Sequence, residues 1–232
     1  MEVLSDTGNQ FYKTKCWQGF LLFLVSISLL VSFRAKAESG YRLWLRYNCI
    51  EDPLVRKHYA SVVRYIVFHR TSETGRVAFE ELEVGLSGML GIAIPSFDRV
   101  SKSGAILAGT FDSNPDISRQ VPAYIAESLG REGYLIQTRR VNRKKCILIA
   151  ANTETGVLYG VFHFLRLLQT RQDISLLNIV SIPALQLRVL NHWDNPDRRV
   201  ERGYAGCSLW DWHRLPGYID QRYIDYARAN AS

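Results

Sequence analysis

The chain has 232 residues, 47% of them hydrophobic and 22% charged, an ordinary globular composition whose length suits one large or two small domains. Its formal charge is +7, yet the 29 basic and 22 acidic residues are interspersed; the one compact basic run, Arg139 to Lys145, reads as a solvated turn, so no nucleic-acid partner is implied. Four cysteines without CxxC or His spacing exclude a disulfide framework and a zinc site.

In chain order, Lys13 and Lys15 precede an apolar stretch, Gly19–Phe33, followed by Ala35, Lys36 and Ala37. That is the layout of a signal peptide covering residues 1–37, with Glu38 as the first mature residue. The 15-residue stretch falls short of the roughly 20 residues of a membrane span. An uncleaved anchor is the alternative, and the small-residue cleavage pattern weighs against it. Cleavage implies a secreted or periplasmic protein without stable membrane contact, and lowers the formal charge from +7 to +5. Cys16 leaves with the leader; Cys146, inside the apolar KKCILIAA, reads as a buried small hydrophobe.

Tyr41–Tyr47 and Ser61–His69 read as strands, the second rich in β-branched and aromatic residues. A helix is predicted over Gly75–Leu90, where Phe79, Leu82, Leu86 and Met89 recur at helical spacing and Glu80, Glu81 and Glu83 suit the macrodipole. Gly104–Thr110 reads as a buried strand. Asn114-Pro115 opens a helix to about Gly130, with Pro122 inside it. Tyr134–Val141 and Lys145–Ala151 form a hairpin around Asn142, and Thr155–Thr170 is a helix with a stripe of Leu158, Phe162 and Leu165. His163 on that helix reads as a packed histidine rather than a ligand. Residues 38–180 are therefore predicted as an α/β sandwich, a mixed sheet with helices. Asn178–Pro183 reads as a linker. Residues 184–232 then start a second unit: an apolar strand, Leu185–Leu190, a polar loop, and a helix over Tyr218–Ala231.

The loop Asn191–Trp212 concentrates three Trp, a Tyr, carboxylates and Arg behind one strand. Flat aromatic rings stack on the C–H faces of sugar rings, while carboxylates and Arg hydrogen-bond hydroxyls and acidic groups. That composition points to a carbohydrate pocket.

GYRLWLRY (40–47), GLSGMLG (85–91), EGY (132–134), GVLYGVFHFLRLLQ (156–169) and above all NHWDN (191–195) with ERGYAG (201–206) resemble the xylan α-glucuronidases of glycoside hydrolase family 67. The resemblance implies an N-terminal α/β sandwich followed by the first β/α unit of a truncated (β/α)8 catalytic barrel. It implies an inverting hydrolase that removes α-1,2-linked (4-O-methyl)glucuronic acid from glucuronoxylan-derived oligosaccharides and uses no cofactor. Inversion needs two carboxyl groups roughly 6.5–9.5 Å apart, carried in the family by later barrel strands. None of those strands is expected in this chain, which is read as an N-terminal fragment without catalytic residues and inactive alone. Homodimerisation belongs to the full-length family and is not expected of the fragment. Resemblance carries Trp193 to the wall of the uronic-acid pocket, with Asn191 and Arg202 as further substrate-binding residues; a structural plug is the alternative for Trp193. Glu201 and Arg202 are expected to pair, and Asp194 and Asn195 to fix the loop. Pro196, Arg198 and Arg199 depart from the family pattern at the loop tip. A competing reading is a non-catalytic carbohydrate-binding or scaffold domain.

Overall fold

Strands whose residues are apolar almost without interruption must be covered on both faces of their sheet. The computed structural model, which describes residues 39–232 apart from 186, 196, 198 and 203–205, meets that demand with a mixed α/β architecture. Its elements in chain order are α1 (Pro53–Val62), β1 (Tyr65–Phe68), α2 (Glu73–Leu90), β2 (Ala105–Thr110), α3 (Pro115–Ser118), α4 (Ala123–Ser128), β3 (Tyr134–Val141), β4 (Lys144–Ala151), α5 (Glu154–Gln169), β5 (Asn178–Ser181), β6 (Trp193–Asp194), β7 (Val200–Arg202) and α6 (Gln221–Ala231). The expected leader, residues 1–37, lies outside the described residues.

Five strands form one sheet in the order β1-β2-β4-β3-β5. β1, β2 and β4 are parallel, and β3 is antiparallel to both β4 and β5. Alternation along each strand divides the core. Ile66, Phe68, Ile106, Ile147 and Ile149 point to a large layer with Phe79, Leu82, Leu86, Phe164 and Leu165 of α2 and α5. Tyr65, Val67, Leu107, Leu135 and Leu148 point the other way, to a thinner layer with Ile117, Val121 and Leu129. Where α2 and α5 cross, Gly85 admits Leu165; a Cβ there would stand 2.7 Å from Leu165 Cδ2.

The helix starts follow local chemistry. Ser72 caps α2 and Thr153 caps α5, each accepting from a glycine N–H in the first turn. Glu154, in the first turn of α5, ties the two helix starts together: it accepts from Thr71 N at 2.9 Å, Thr71 Oγ1 at 2.8 Å and Ser72 Oγ. The basic run is the tip of the β3–β4 hairpin, where Asn142 and Arg143 take the positive φ angles of a two-residue turn. Cys146 is buried there, and desolvation pushes its thiol up to about 11.

Five expectations are corrected. Residues 41–46 are turns, not a strand, with Leu43 and Tyr47 at positive φ. The outer edge of β1 is already bonded by Pro95–Phe97, through Ile66 N to Pro95 O and Phe97 N to Ile66 O, both 2.9 Å. The first half of Ser61–His69 belongs to the end of α1 and its cap; α1 begins at Asp52-Pro53, where the Asp52 carboxylate accepts from Leu54 N and Val55 N. The helix expected from Asn114 breaks at Pro122 into α3 and α4, because proline fits only a first turn. The Asn178–Pro183 linker contains β5, which pairs with β3. Leu185–Leu190 is not seen as a strand: its described residues have no regular structure and lie exposed, so the described residues show no first barrel strand. A strand needs a neighbour for its N–H and C=O groups, and the described residues bring none to it.

Candidate functional site

The loop that the sequence singles out begins with a short ribbon. β6 and β7 pair antiparallel, Trp193 opposite Arg202 and Asp194 opposite Val200, with an irregularity between Trp193 and Asp194. Asn195 N donates to Arg199 O at 2.9 Å, and Asp197 caps the turn by accepting from Arg199 N at 3.0 Å. Asn191 is exposed, and Trp193 is 45% exposed. The structure thus brings the backbones of Trp193 and Arg202 side by side and leaves Asn191 on the approach to them. The side chains of Glu201 and Arg202, together with Pro196, Arg198 and Gly203, lie outside the described residues, as does the expected Glu201–Arg202 pair.

Behind the ribbon the loop is pinned by polar and aromatic contacts. Ser208, almost fully buried, donates to Asp194 Oδ2 and accepts from Trp210 N at 2.9 Å. Asp194 therefore holds the loop, as its position in the sequence led us to expect. The Trp210 ring sits 4.7 Å from Tyr223 and 6.1 Å from Tyr226, both on α6, and 5.9 Å from His192. Tyr226 and His192 meet through Oη and Nε2 at 3.2 Å, and Asp211 N donates to Tyr223 Oη at 2.7 Å. Trp212 joins this group at 6.2 Å from Trp210. Edge-to-face and tilted ring pairs of this kind contribute about 0.5–1.5 kcal/mol each beyond the area they bury. Trp210 is thus an anchor, while Trp193 and Trp212, 45% and 42% exposed, each keep part of the ring toward solvent.

α6 is in turn bound to the sandwich. Arg228 Nε and Nη2 each donate to the Glu81 carboxylate at 2.9 Å, and Tyr47 Oη donates to the same carboxylate at 2.6 Å. The Glu81 side chain is only 4% exposed, whereas Arg228 keeps 30% exposure and also reaches Asp225 at 3.3 Å. Burial, then the bond to Glu81, pushes the Tyr47 phenol well above its usual range. The Glu81 bonds hold Arg228 firmly protonated. None of this group was singled out from the sequence; Glu81 was read only as part of an acidic helix start.

His163 is packed within the sandwich. His163 Nδ1 lies 2.9 Å from Tyr134 Oη, and burial with the nearby Arg166 lowers its pKa, as suits a packed neutral imidazole. A cleft of about 660 Å³ lies beyond the end of β4, lined by Gly130, Arg131, Glu132, Thr153, Thr155 and Pro183. Asn191 and Trp193 are not among its lining residues. Among the described residues no group of three His, Cys, Asp or Glu is placed to hold a metal ion.

Comparison with known proteins finds two family matches in succession along the chain. The family description "Glycosyl hydrolase family 67 N-terminus" matches residues 43–164, and "Glycosyl hydrolase family 67 middle domain" matches residues 167–232. A probable alpha-glucuronidase A of Aspergillus fumigatus is 30% identical over 222 residues, covering 93% of this chain and 25% of the relative. Alpha-glucuronidase A of Aspergillus tubingensis is 28% identical over 83% of this chain and 22% of its own length. An alpha-glucuronidase of Hypocrea jecorina is 29% identical over 85% and 25%. The chain thus spans about a quarter of the length of the curated relatives it matches. A solved family GH115 4-O-methyl-alpha-glucuronidase, specific for decorated arabinogalactans, aligns with 46% of this chain and 13% of its own at 17% identity and TM-score 0.37, too remote to bear on fold or function.

Proposed function

The chain belongs to glycoside hydrolase family 67, and on that premise we propose that it supplies the N-terminal domain and the opening of the middle domain of an α-glucuronidase. The substrates proposed are glucuronoxylan-derived oligosaccharides, from which (4-O-methyl)glucuronic acid is released with inversion. Within it, residues 38–180 are the platform and residues 184–232 the first element of the catalytic unit. The observation that carries this reading is the loop itself: a ribbon that leaves Trp193 partly open, backed by Trp210, Tyr223 and Tyr226 on a helix.

Trp193 offers the ring on which a pyranose face stacks, Asn191 an amide for its hydroxyls, and Arg202 a guanidinium for the uronate carboxylate. The Asp194 carboxylate holds the loop through Ser208, and no acid or base role is given to it or to Asp211. The two carboxyl groups required for inversion are proposed to reside on parts of the family's chain that these 232 residues do not include. We further propose that the protein is exported by its N-terminal leader and acts outside the cytoplasm, without a cofactor or a nucleic-acid partner.

The test is direct. Purified 232-residue chain is expected to release no glucuronic acid from aldouronic acids in a sensitive assay; any release sinks the claim of inactivity. Affinity electrophoresis in glucuronoxylan gels then addresses the second reading, a non-catalytic binding module. Retardation that Trp193→Ala abolishes favours a binding module, and unchanged mobility favours a part that acts only within a longer enzyme.

A further inference from the structure

Two routes connect the sandwich to Trp193, and they differ in stiffness. The covalent route runs through Ile182–Leu190, whose described residues have no regular structure and are largely exposed. The packed route is a continuous chain of contacts. It passes from Glu81 on α2 to Arg228, back along α6 to Tyr226 and Tyr223, across to His192 and Trp210, and so to Trp193, the residue after His192. Tyr226 and Tyr223 stand two and five residues before Arg228, about 3 and 7.5 Å along a rigid helix. A bidentate guanidinium–carboxylate pair fixes direction as well as distance, which a single ammonium contact does not. Other contacts also bind this region to the sandwich: Ala229 and Ala231 pack against the large core layer, Arg188 pairs with Glu132 and stands over the Tyr159 ring, and Trp44 Nε1 donates to Ser232 Oγ at 2.6 Å. The two polar contacts at Arg188 and Ser232 are far more exposed than Glu81, and the small alanine side chains give contact without the directionality of the fork.

We propose that Glu81, an N-terminal-domain residue, is a positioning residue for the Trp193 loop: through its fork with Arg228 it sets where α6, and with it the aromatic anchor, stands on the sandwich. Glu81 touches no substrate in this account. Calling the loop sugar-facing rests on the functional reading above; the positioning claim itself does not require a sugar.

The test uses the 232-residue chain and the near-UV circular dichroism of its aromatic cluster, with far-UV signal as the check on the sandwich. Trp210→Phe identifies the band that the cluster produces. Arg228→Lys keeps the charge but loses the fork, and Glu81→Gln keeps the size but loses the charge. Both are expected to lose that band while the far-UV signal stays, and the double variant is expected to lose no more than either single one. A role in stability alone predicts a lower unfolding midpoint in Glu81→Gln with the band intact. Retention of the full band in Arg228→Lys overturns the proposal, and that variant decides alone if Glu81→Gln does not fold. Wild-type mobility unchanged in glucuronoxylan gels removes the binding-module reading and leaves this result standing.

Discussion

Ile147, Leu148 and Ile149 of β4 are at most 2% exposed, while Leu185, Leu187 and Val189 are 69–79% exposed, although both runs are apolar and of strand-like composition. The difference lies in neighbours. β4 has β2 on one side and β3 on the other, with helices over both faces. The later run has neither partner nor cover among the described residues. Apolar composition supplies a reason to be buried; only pairing supplies somewhere for the backbone polar groups to go.

The sharpest way to break this comparison is to truncate one residue of each kind. Phe164, fully buried between α2, α5 and the sheet, is expected to cost about 3–5 kcal/mol as Phe164→Ala. Leu187→Ala, at a position 79% exposed, is expected to stay within about 0.5 kcal/mol. Urea unfolding followed by far-UV circular dichroism measures both. Similar losses at the two positions mean that the later segment is packed in solution and the contrast is false.

Next in size is the fork at Glu81. Removing one member of a buried ion pair costs about 3–5 kcal/mol when the other charge stays buried. Here Arg228 is 30% exposed, and α6 can lift away to let water reach Glu81, so Arg228→Met is expected to cost roughly 2–3 kcal/mol. The loss belongs to the docking of α6, and hydrogen exchange is expected to show faster amides in α6 than in β4. Uniformly faster exchange throughout the sheet shows instead that α6 and the sandwich unfold as one unit.

Gly156→Ala probes the sandwich on its own. The new Cβ falls 2.7 Å from both Ala151 Cβ and the Gly133 carbonyl oxygen, and a backbone oxygen has little room to give. The clash is expected to cost roughly 1–3 kcal/mol, more than the gain of up to about 1 kcal/mol from alanine's helix preference. A stabilised variant contradicts the close seat of α5 on β4.

These contrasts also explain what was legible beforehand. α2, α5, β2 and the β3–β4 hairpin announce themselves because caps, 3.6-residue spacing and turn chemistry are local. α1 was legible too, in Asp52-Pro53, but the β-branched run after it drew the strand assignment back across its last turn. β5 and the turns at 41–46 depend on which sheet edges are vacant, a tertiary fact. In the candidate site, the aromatic richness of the loop was readable, while its division into a packed anchor and two more open rings was not. That division is made by Tyr223 and Tyr226 on a helix more than ten residues downstream. The Glu81–Arg228 fork joins residues 147 apart and leaves no local signal at all.

The smallest effect expected is a pH dependence confined to the sandwich. Burial alone raises the Glu154 pKa, but hydrogen bonds from Ser72, from Thr71 and from Gly75 outweigh it and hold the carboxyl below its ordinary value of 4.5. A carboxylate depressed in the folded state contributes stability that is fully present above the unfolded value and is lost as pH falls through the folded one. Wild type is therefore expected to exceed Glu154→Gln in unfolding midpoint by a constant amount near pH 7. That advantage is expected to shrink as pH drops below about 4.5. Glu154 lies near the surface, where solvent screens the interaction, so the advantage is small. Because its partners sit at the start of α2 and not on α6, the near-UV band of the Trp210 cluster is expected to be the same in both proteins at pH 7. A band that changes with Glu154→Gln shows that the two helix starts, and not the Glu81 fork alone, carry orientation to the loop.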